Sequence, residues 1–203
     1  MNKKLTKEEY GLKLARIKRS FLDIPIINGS NGYPYVLLSL TDSVPPMDPT
    51  LLEDMADLLV MEGDFLNVDV IVSEADRGGG PLTHAIALRV GIPYVLANWY
   101  PNGIKGETKV KTSIGFSGEG HIYVNGLKSG QKAIIVDDIL SSGGTVDALA
   151  MALKGSGVVV SEALFVGEKL GIGGRDRILK NHNIQIKSLV QFCIKDNKTS
   201  EPD

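Results

Sequence analysis

From Val68 to Phe192 the chain alternates short apolar runs with helix-like stretches, and this alternation restricts the fold more than any other feature. VDVIVS (68–73), IPYVLAN (92–98), KAIIV (132–136), VVVSEALFVG (158–167) and IQIKSLVQF (184–192) read as strands. PLTHAIALRVG (81–91), TVDALAMALKG (145–155) and GGRDRILKN (173–181) read as the helices between them. Nearly continuous apolar runs mark strands covered on both faces, and strands alternating with helices indicate a parallel sheet. The expectation is an α/β fold with a central parallel sheet flanked by helices.

The remaining segments are less regular. Residues 5–20 have helical spacing at Tyr10, Leu14, Ile17 and Phe21. Pro25 and Asn28-Gly29-Ser30-Asn31-Gly32 break that pattern, and Tyr35 to Leu38 is a short strand candidate. Asp48 or Thr50 is placed to cap a helix over 50–61. Residues 99–113 read as a long polar loop, and GHIYVNG (120–126) as an exposed strand or hairpin arm. The polar tail after Lys195 is expected to fray. A length of 203 residues suits one domain, with or without an attached subdomain.

Bulk properties narrow the function classes. A net charge of −2 gives no global reason to bind nucleic acid or an acidic membrane. The first twenty residues carry seven Lys/Arg against two Glu, which reads as a capping helix with a solvated basic face; a nucleic-acid arm is the other reading. Cys193, the single cysteine, excludes an internal disulfide and fits a reducing cytosol. There is no secretory leader pattern and no apolar run near the ~20 residues of a membrane span, so a cytoplasmic protein is expected.

The chemistry concentrates in AIIVDDILSSGGT, Ala133 to Thr145. In a doubly wound sheet, ligands bind beyond the carboxyl ends of the strands. Asp137 and Asp138 sit where KAIIV emerges there, and SSGGT leads into a helix N-terminus, a phosphate site by geometry and dipole. Neither a Walker A loop nor a dinucleotide fingerprint is present. Two carboxylates beside a phosphate cradle repel the phosphate unless they face something else. Vicinal ribose hydroxyls and a hydrated Mg²⁺ answer that requirement.

This stretch resembles the motif by which type I phosphoribosyltransferases bind 5-phosphoribosyl diphosphate (PRPP): an apolar strand, two acids, then a Ser/Thr/Gly-rich turn. The resemblance implies that family's fold over 1–203, with a small hood subdomain from about 20–45 plus the C-terminal segment, set on a core of about 50–192. It implies that Asp137 and Asp138 hold the ribose hydroxyls and take part in catalysis and in Mg²⁺ binding. Ser141, Ser142, Gly143, Gly144 and Thr145 would then hold the 5′-phosphate. In SEADRGGG (73–80), Ala75, Asp76, Arg77 and Gly78 would receive the pyrophosphate, often through a non-proline cis peptide in this family, with Arg77 catalytic. Loop lysines Lys105, Lys109 and Lys111 would meet diphosphate charge when the 99–113 loop closes.

Base recognition is divided. Tyr35 and Val36 from the hood, with Lys169, Leu170 and Ile172 from FVGEKLGIGG (165–174), would wall a purine pocket. GGRDR (173–177) is similar to adenine enzymes, whereas Lys169 falls where 6-oxopurine enzymes keep a lysine for O6, and GFSGEGHIYVNG (115–126) is similar to archaeal hypoxanthine/guanine enzymes. Ile114-Gly115-Phe116-Ser117 lacks the glutamate that adenine enzymes carry after the mobile loop, with Glu107 and Glu119 as substitutes. The resemblance implies a cytoplasmic, homodimeric purine-salvage enzyme that uses PRPP and Mg²⁺, with adenine narrowly preferred. The first alternative is a hypoxanthine/guanine (6-oxopurine) phosphoribosyltransferase; an enzyme for another base (xanthine, orotate or uracil) and a non-catalytic PRPP or purine sensor are the others.

Overall fold

A computed structural model describes residues 5–29, 32–114 and 118–202. The chain opens with α1 (Lys7–Arg19), started by a capping box in which Thr6 and Glu9 bond each other's backbone N–H at 3.1 and 2.7 Å. A two-stranded antiparallel ribbon follows, β1 (Ile26–Asn28) and β2 (Pro34–Val36), then the short α2 (Ser39–Asp42) and α3 (Pro49–Glu62). Asp48 caps α3, its carboxylate accepting from Thr50 N at 2.8 Å.

From there strands and helices alternate as the sequence requires: β3 (Val70–Glu74), α4 (Gly79–Val90), β4 (Tyr94–Ala97), then the hairpin β5 (Thr108–Ile114) and β6 (Gly118–Val124). Next come β7 (Lys132–Leu140), α5 (Gly144–Gly155), β8 (Val159–Lys169), α6 (Gly174–His182), β9 (Gln185–Lys195) and β10 (Lys198–Ser200). The main sheet has the order β10-β9-β8-β7-β3-β4, parallel throughout except for the antiparallel β10.

Both faces of this sheet are covered, which is why its strands are apolar on both sides. Ile71, Ile134, Val136, Leu164 and Val166 pack against α1, α3 and α4 on one face. Val72, Ala133, Ile135, Ala163 and Phe165 meet α5, α6 and the β5–β6 hairpin on the other. Each large aliphatic side chain buried in these layers contributes about 1.5–3 kcal/mol. The predicted stripe of α1 faces inward, with Ile17 and Phe21 buried and Tyr10 and Leu14 packed beside them. Part of its basic face is ion-paired: Lys13 and Arg16 pair with Asp54 of α3, at 2.7 and 2.5 Å.

Three local expectations are corrected. The polar stretch expected to stay a loop as far as residue 113 becomes β5 from Thr108, because seven residue pairs with β6 satisfy its backbone. The tail does not fray at Lys195: Lys198 to Ser200 form β10 and Thr199 is buried. Among the described residues the one cis peptide is Val44–Pro45, so the 73–80 loop turns without one, through the left-handed conformation of Arg77 (φ 57°).

Candidate active site

β3, β7 and β8 all end at one edge of the sheet, and a cavity of about 440 Å³ opens there. Its floor is the motif stretch. Asp137 and Asp138 are still in β7 and are 4% and 8% exposed. Asp138 N donates to Asp137 Oδ1 at 2.9 Å, and Ile139 N to Asp138 Oδ1 at 2.6 Å. Asp138 Oδ2 is buried with no hydrogen-bond partner among the described residues.

Ser141 to Thr145 line the same cavity, and α5 starts inside this turn at Gly144. Gly143 holds a left-handed conformation (φ 75°). The start of α6 presses on this turn from outside: a Cβ on Gly174 would lie 2.1 Å from Ser141 O. Arg177 and His182 of α6 fasten the packing by pairing with Asp147 in the first turn of α5, each at 2.5 Å.

Electrostatics make the floor an unusual acceptor cluster. Burial, then the neighbouring charges of Asp138 and Glu74, raise the Asp137 carboxyl well above the usual range. Asp138 is raised by burial, against the opposing hydrogen bond from Ile139 N. Glu74, at the end of β3, is pushed up to about 8, first by burial and then by Asp138 and Asp76; the Trp99 indole N–H, at 2.7 Å, resists this. Three crowded carboxyls and an orphaned Asp138 oxygen call for hydroxyl donors or a cation. Among the described residues no group of three or more His, Cys, Asp or Glu side chains is placed to hold a metal by itself. Two carboxylates suffice for Mg²⁺, which keeps its waters and takes its other ligands from phosphates.

The 73–80 loop forms one wall. Asp76 and Arg77 line the cavity, whereas Ala75 and the buried Gly78 do not. Arg77 Nη1 pairs with Asp42 Oδ1 at 2.6 Å and donates to the Tyr35 hydroxyl. Beside it, Tyr33 and the β2 residues Pro34, Tyr35 and Val36 line the cavity together with Lys169 and Phe192. Lys169 is 5% exposed; its ammonium donates to Pro34 O and lies 4.6 Å from the centre of the Tyr33 ring. Burial lowers its pKa to about 8.

Of the residues singled out from the sequence, the cavity gathers Tyr35, Val36, Asp76, Arg77, Asp137, Asp138, Ser141 to Thr145 and Lys169. Leu170 lines an adjoining cavity with Glu168 and Gly171, and Ile172 is 37% exposed, lining neither. Lys105 and Lys109 are exposed outside the cavity, Lys109 over the Tyr123 ring, and Lys111 pairs with Glu119. Glu119 reaches the cavity rim; Glu107 instead accepts from Asn102 N and Asn125. Residues 115–117 of Ile114-Gly115-Phe116-Ser117 lie outside the described residues. Sequence reasoning missed Tyr33, Thr41, Glu74, Trp99 and Phe192, which also line the cavity. Only Glu74, a carboxylate closing an apolar strand, left a readable signal.

Fold and site together define an α/β enzyme of the type I phosphoribosyltransferase class. A model of the phosphoribosyl transferase domain matches residues 51–197, and the chain belongs to that family. It is 34% identical over 184 residues to a hypoxanthine/guanine phosphoribosyltransferase of Methanohalophilus mahii, covering 91% of this chain and 93% of the relative. With the enzyme of that name from Methanosarcina mazei it shares 37% over 181 residues, 89% and 91% of the two chains. Adenine phosphoribosyltransferase from Rhodothermus marinus has the same fold, with a TM-score of 0.72 at 18% identity over 89% of this chain and 99% of that one. So does the Trypanosoma brucei adenine enzyme solved with AMP, pyrophosphate and ribose-5-phosphate, at 0.72 and 17%, over 96% and 86%.

Proposed function

We propose that this enzyme transfers the 5-phosphoribosyl group of PRPP to N9 of a 6-oxopurine, hypoxanthine or guanine, releasing pyrophosphate and a nucleoside monophosphate. The observation that carries the choice of base is Lys169. Its ammonium is buried in the cavity between Tyr33 and Pro34, and no carboxylate among the described residues pairs with it. An ammonium satisfies a purine O6, whereas it meets the adenine amino group donor to donor.

The GGRDR turn, which inclined the sequence reading to adenine, has structural duties in this protein. Gly174 packs on Ser141, and Arg175 bonds Glu168 at 2.5 Å, Ile186 O at 2.7 Å and Ser188 at 3.2 Å. That account lowers the weight of the turn as a base signal. The 33–37% identical relatives bearing hypoxanthine/guanine names point the same way.

In this reading Ser141 to Thr145 hold the 5′-phosphate at the N-terminus of α5, and Asp137 and Asp138 grip the ribose diol. Their negative charge stabilises the positive charge that develops on the ribosyl ring as the C1–oxygen bond breaks. Arg77 and the neighbouring Asp76 amide, in the part of the loop that lines the cavity, receive the departing diphosphate. Asp137 and Asp138 would hold a hydrated Mg²⁺, which would supply further neutralisation of that diphosphate. Tyr33, Tyr35 and Phe192 cover the base and exclude water from C1.

The test is pyrophosphate release with PRPP and Mg²⁺ on separate hypoxanthine, guanine, xanthine, adenine and orotate. Turnover on hypoxanthine or guanine at least tenfold above adenine is expected. Preferred turnover on adenine would reverse the base assignment, and none on any base would refute the reaction. Asp137→Asn with Asp138→Asn should lower kcat by about 10²–10³ with an unchanged circular dichroism spectrum.

A further inference from the structure

Resting on the reading that Arg77 meets the diphosphate, we propose that Asp42 is a positioning residue that aims the Arg77 guanidinium and ties the base-side ribbon to the pyrophosphate loop. Arg77 belongs to the turn between β3 and α4, far in sequence from α2, yet its Nη1 lies 2.6 Å from Asp42 Oδ1. The Tyr35 hydroxyl donates to the same Asp42 oxygen at 2.7 Å and accepts from the same Arg77 nitrogen. The guanidinium carbon sits 5.3 Å from the centre of the Tyr35 ring. Three side chains from three segments therefore form one closed triangle at the cavity wall.

Asp42 is itself firmly held. Its second oxygen accepts from Leu38 N at 3.3 Å, closing the turn of α2, and its side chain is only 12% exposed. Leu38 and Leu40 anchor that turn in the core. The contact continues through the backbone: a Cβ on Gly78 would lie 2.7 Å from Asp138 Oδ2 and 2.9 Å from Leu40 Cγ. A chain of contact thus runs from the core through α2 to Arg77, and from the pyrophosphate loop to the acidic floor.

An arginine side chain that is 43% exposed would otherwise sample many rotamers, each unsuited to a diphosphate. Asp42 removes that freedom before the anion arrives, although its own charge opposes an anion. The geometry assigns preorganisation as the larger effect, because Asp42 is fixed by α2 and bonds the guanidinium through Nη1 while Arg77 still lines the cavity. Tyr35 carries the restraint to the base side, so filling one subsite stiffens the other.

A double-mutant cycle tests this, using calorimetric binding of Mg²⁺-pyrophosphate and the KM for PRPP. Asp42→Ala should weaken both about tenfold, with kcat changed less than threefold, and Asp42→Asn, which keeps an acceptor, should restore most of the loss. In the Arg77→Ala background, Asp42→Ala should add nothing. An equal loss in both backgrounds makes Asp42 merely structural, and tighter pyrophosphate binding by Asp42→Ala makes it a competitor for Arg77; either overturns the proposal. If Asp42→Ala does not fold, Asp42→Leu, which removes both acceptors at similar size, replaces it in the cycle with Arg77→Ala and decides by the same criterion. If Arg77→Ala itself leaves pyrophosphate binding unchanged while purine turnover persists, the assignment of Arg77 is at fault rather than the reaction.

Discussion

Lys169 is the residue whose environment most directly shapes an observable. A lysine ordinarily titrates near 10.5, and burial brings this one to about 8. Below that pH it is an ammonium, which in the proposed reading donates to O6; above it the charge is lost. We therefore expect kcat/KM for hypoxanthine to be level below pH 7 and to fall about tenfold per unit above pH 8. Lys169→Gln should lower that value and remove the limb, so a mutant profile that keeps the limb would assign it elsewhere. Asp137, Asp138 and the SSGGT turn were legible in the sequence because they are consecutive, so chain order carries their geometry. Tyr33, Thr41 and Trp99 were not, because folding alone brings the segment before β2, α2 and the segment after β4 to one cavity.

At the scale of elements, the contact of α6 with the Ser141–Thr145 turn has the sharpest consequence. Alanine at Gly174 would drive a Cβ against the Ser141 carbonyl, a backbone atom that cannot swing aside. Gly174→Ala should cost about 1–3 kcal/mol in stability and raise the KM for PRPP more than the KM for the base. Equal changes in the two KM values would separate α6 from that turn.

The α1–α3 clasp makes a different prediction. Burial raises the Asp54 carboxyl, but hydrogen bonds and charge from Arg16 and Lys13 outweigh it, leaving the pKa lowered. Its stabilisation is present above the ordinary carboxylate pKa and is lost as pH falls through the lowered one. Arg16 is half exposed, so Asp54→Asn should cost only about 1–2 kcal/mol at pH 7, and less as the pH drops. Thermal unfolding from pH 3 to 7 checks both the size and the direction. Strands with continuous apolar runs were readable from the sequence; β5, TKVKTSI, was not, because its lysines and threonines look like loop and its order comes from β6.

For the whole molecule, the unexpected element is β10. Besides pairing with β9, the 197–199 segment accepts from Asp23 N and Ile26 N at 3.1 Å, and Thr199 donates to Ile24 O at 3.0 Å. The Thr199 hydroxyl also accepts from Ile24 N at 2.9 Å. Three polar residues carry no periodic signal, so this closure of the sheet onto the segment before β1 could not be read from the sequence. Deleting residues 196–203 should cost at least about 4 kcal/mol, at roughly 1 kcal/mol for each of these four bonds. Because the ribbon loses its anchor, the KM for the base should also rise; an unaltered Tm would show the closure to be dispensable. No helix among the described residues is long and apolar enough to cross a membrane.

Trp99 is the chain's only tryptophan, and its indole sits in the cavity wall with its N–H on Glu74. Its emission is therefore a single-site signal. Any ligand that changes the charge on Glu74 or displaces water from that wall will shift the fluorescence with no competing chromophore of its kind. The protein carries its own optical gauge of occupancy, and association rates can be followed on the native chain without a label.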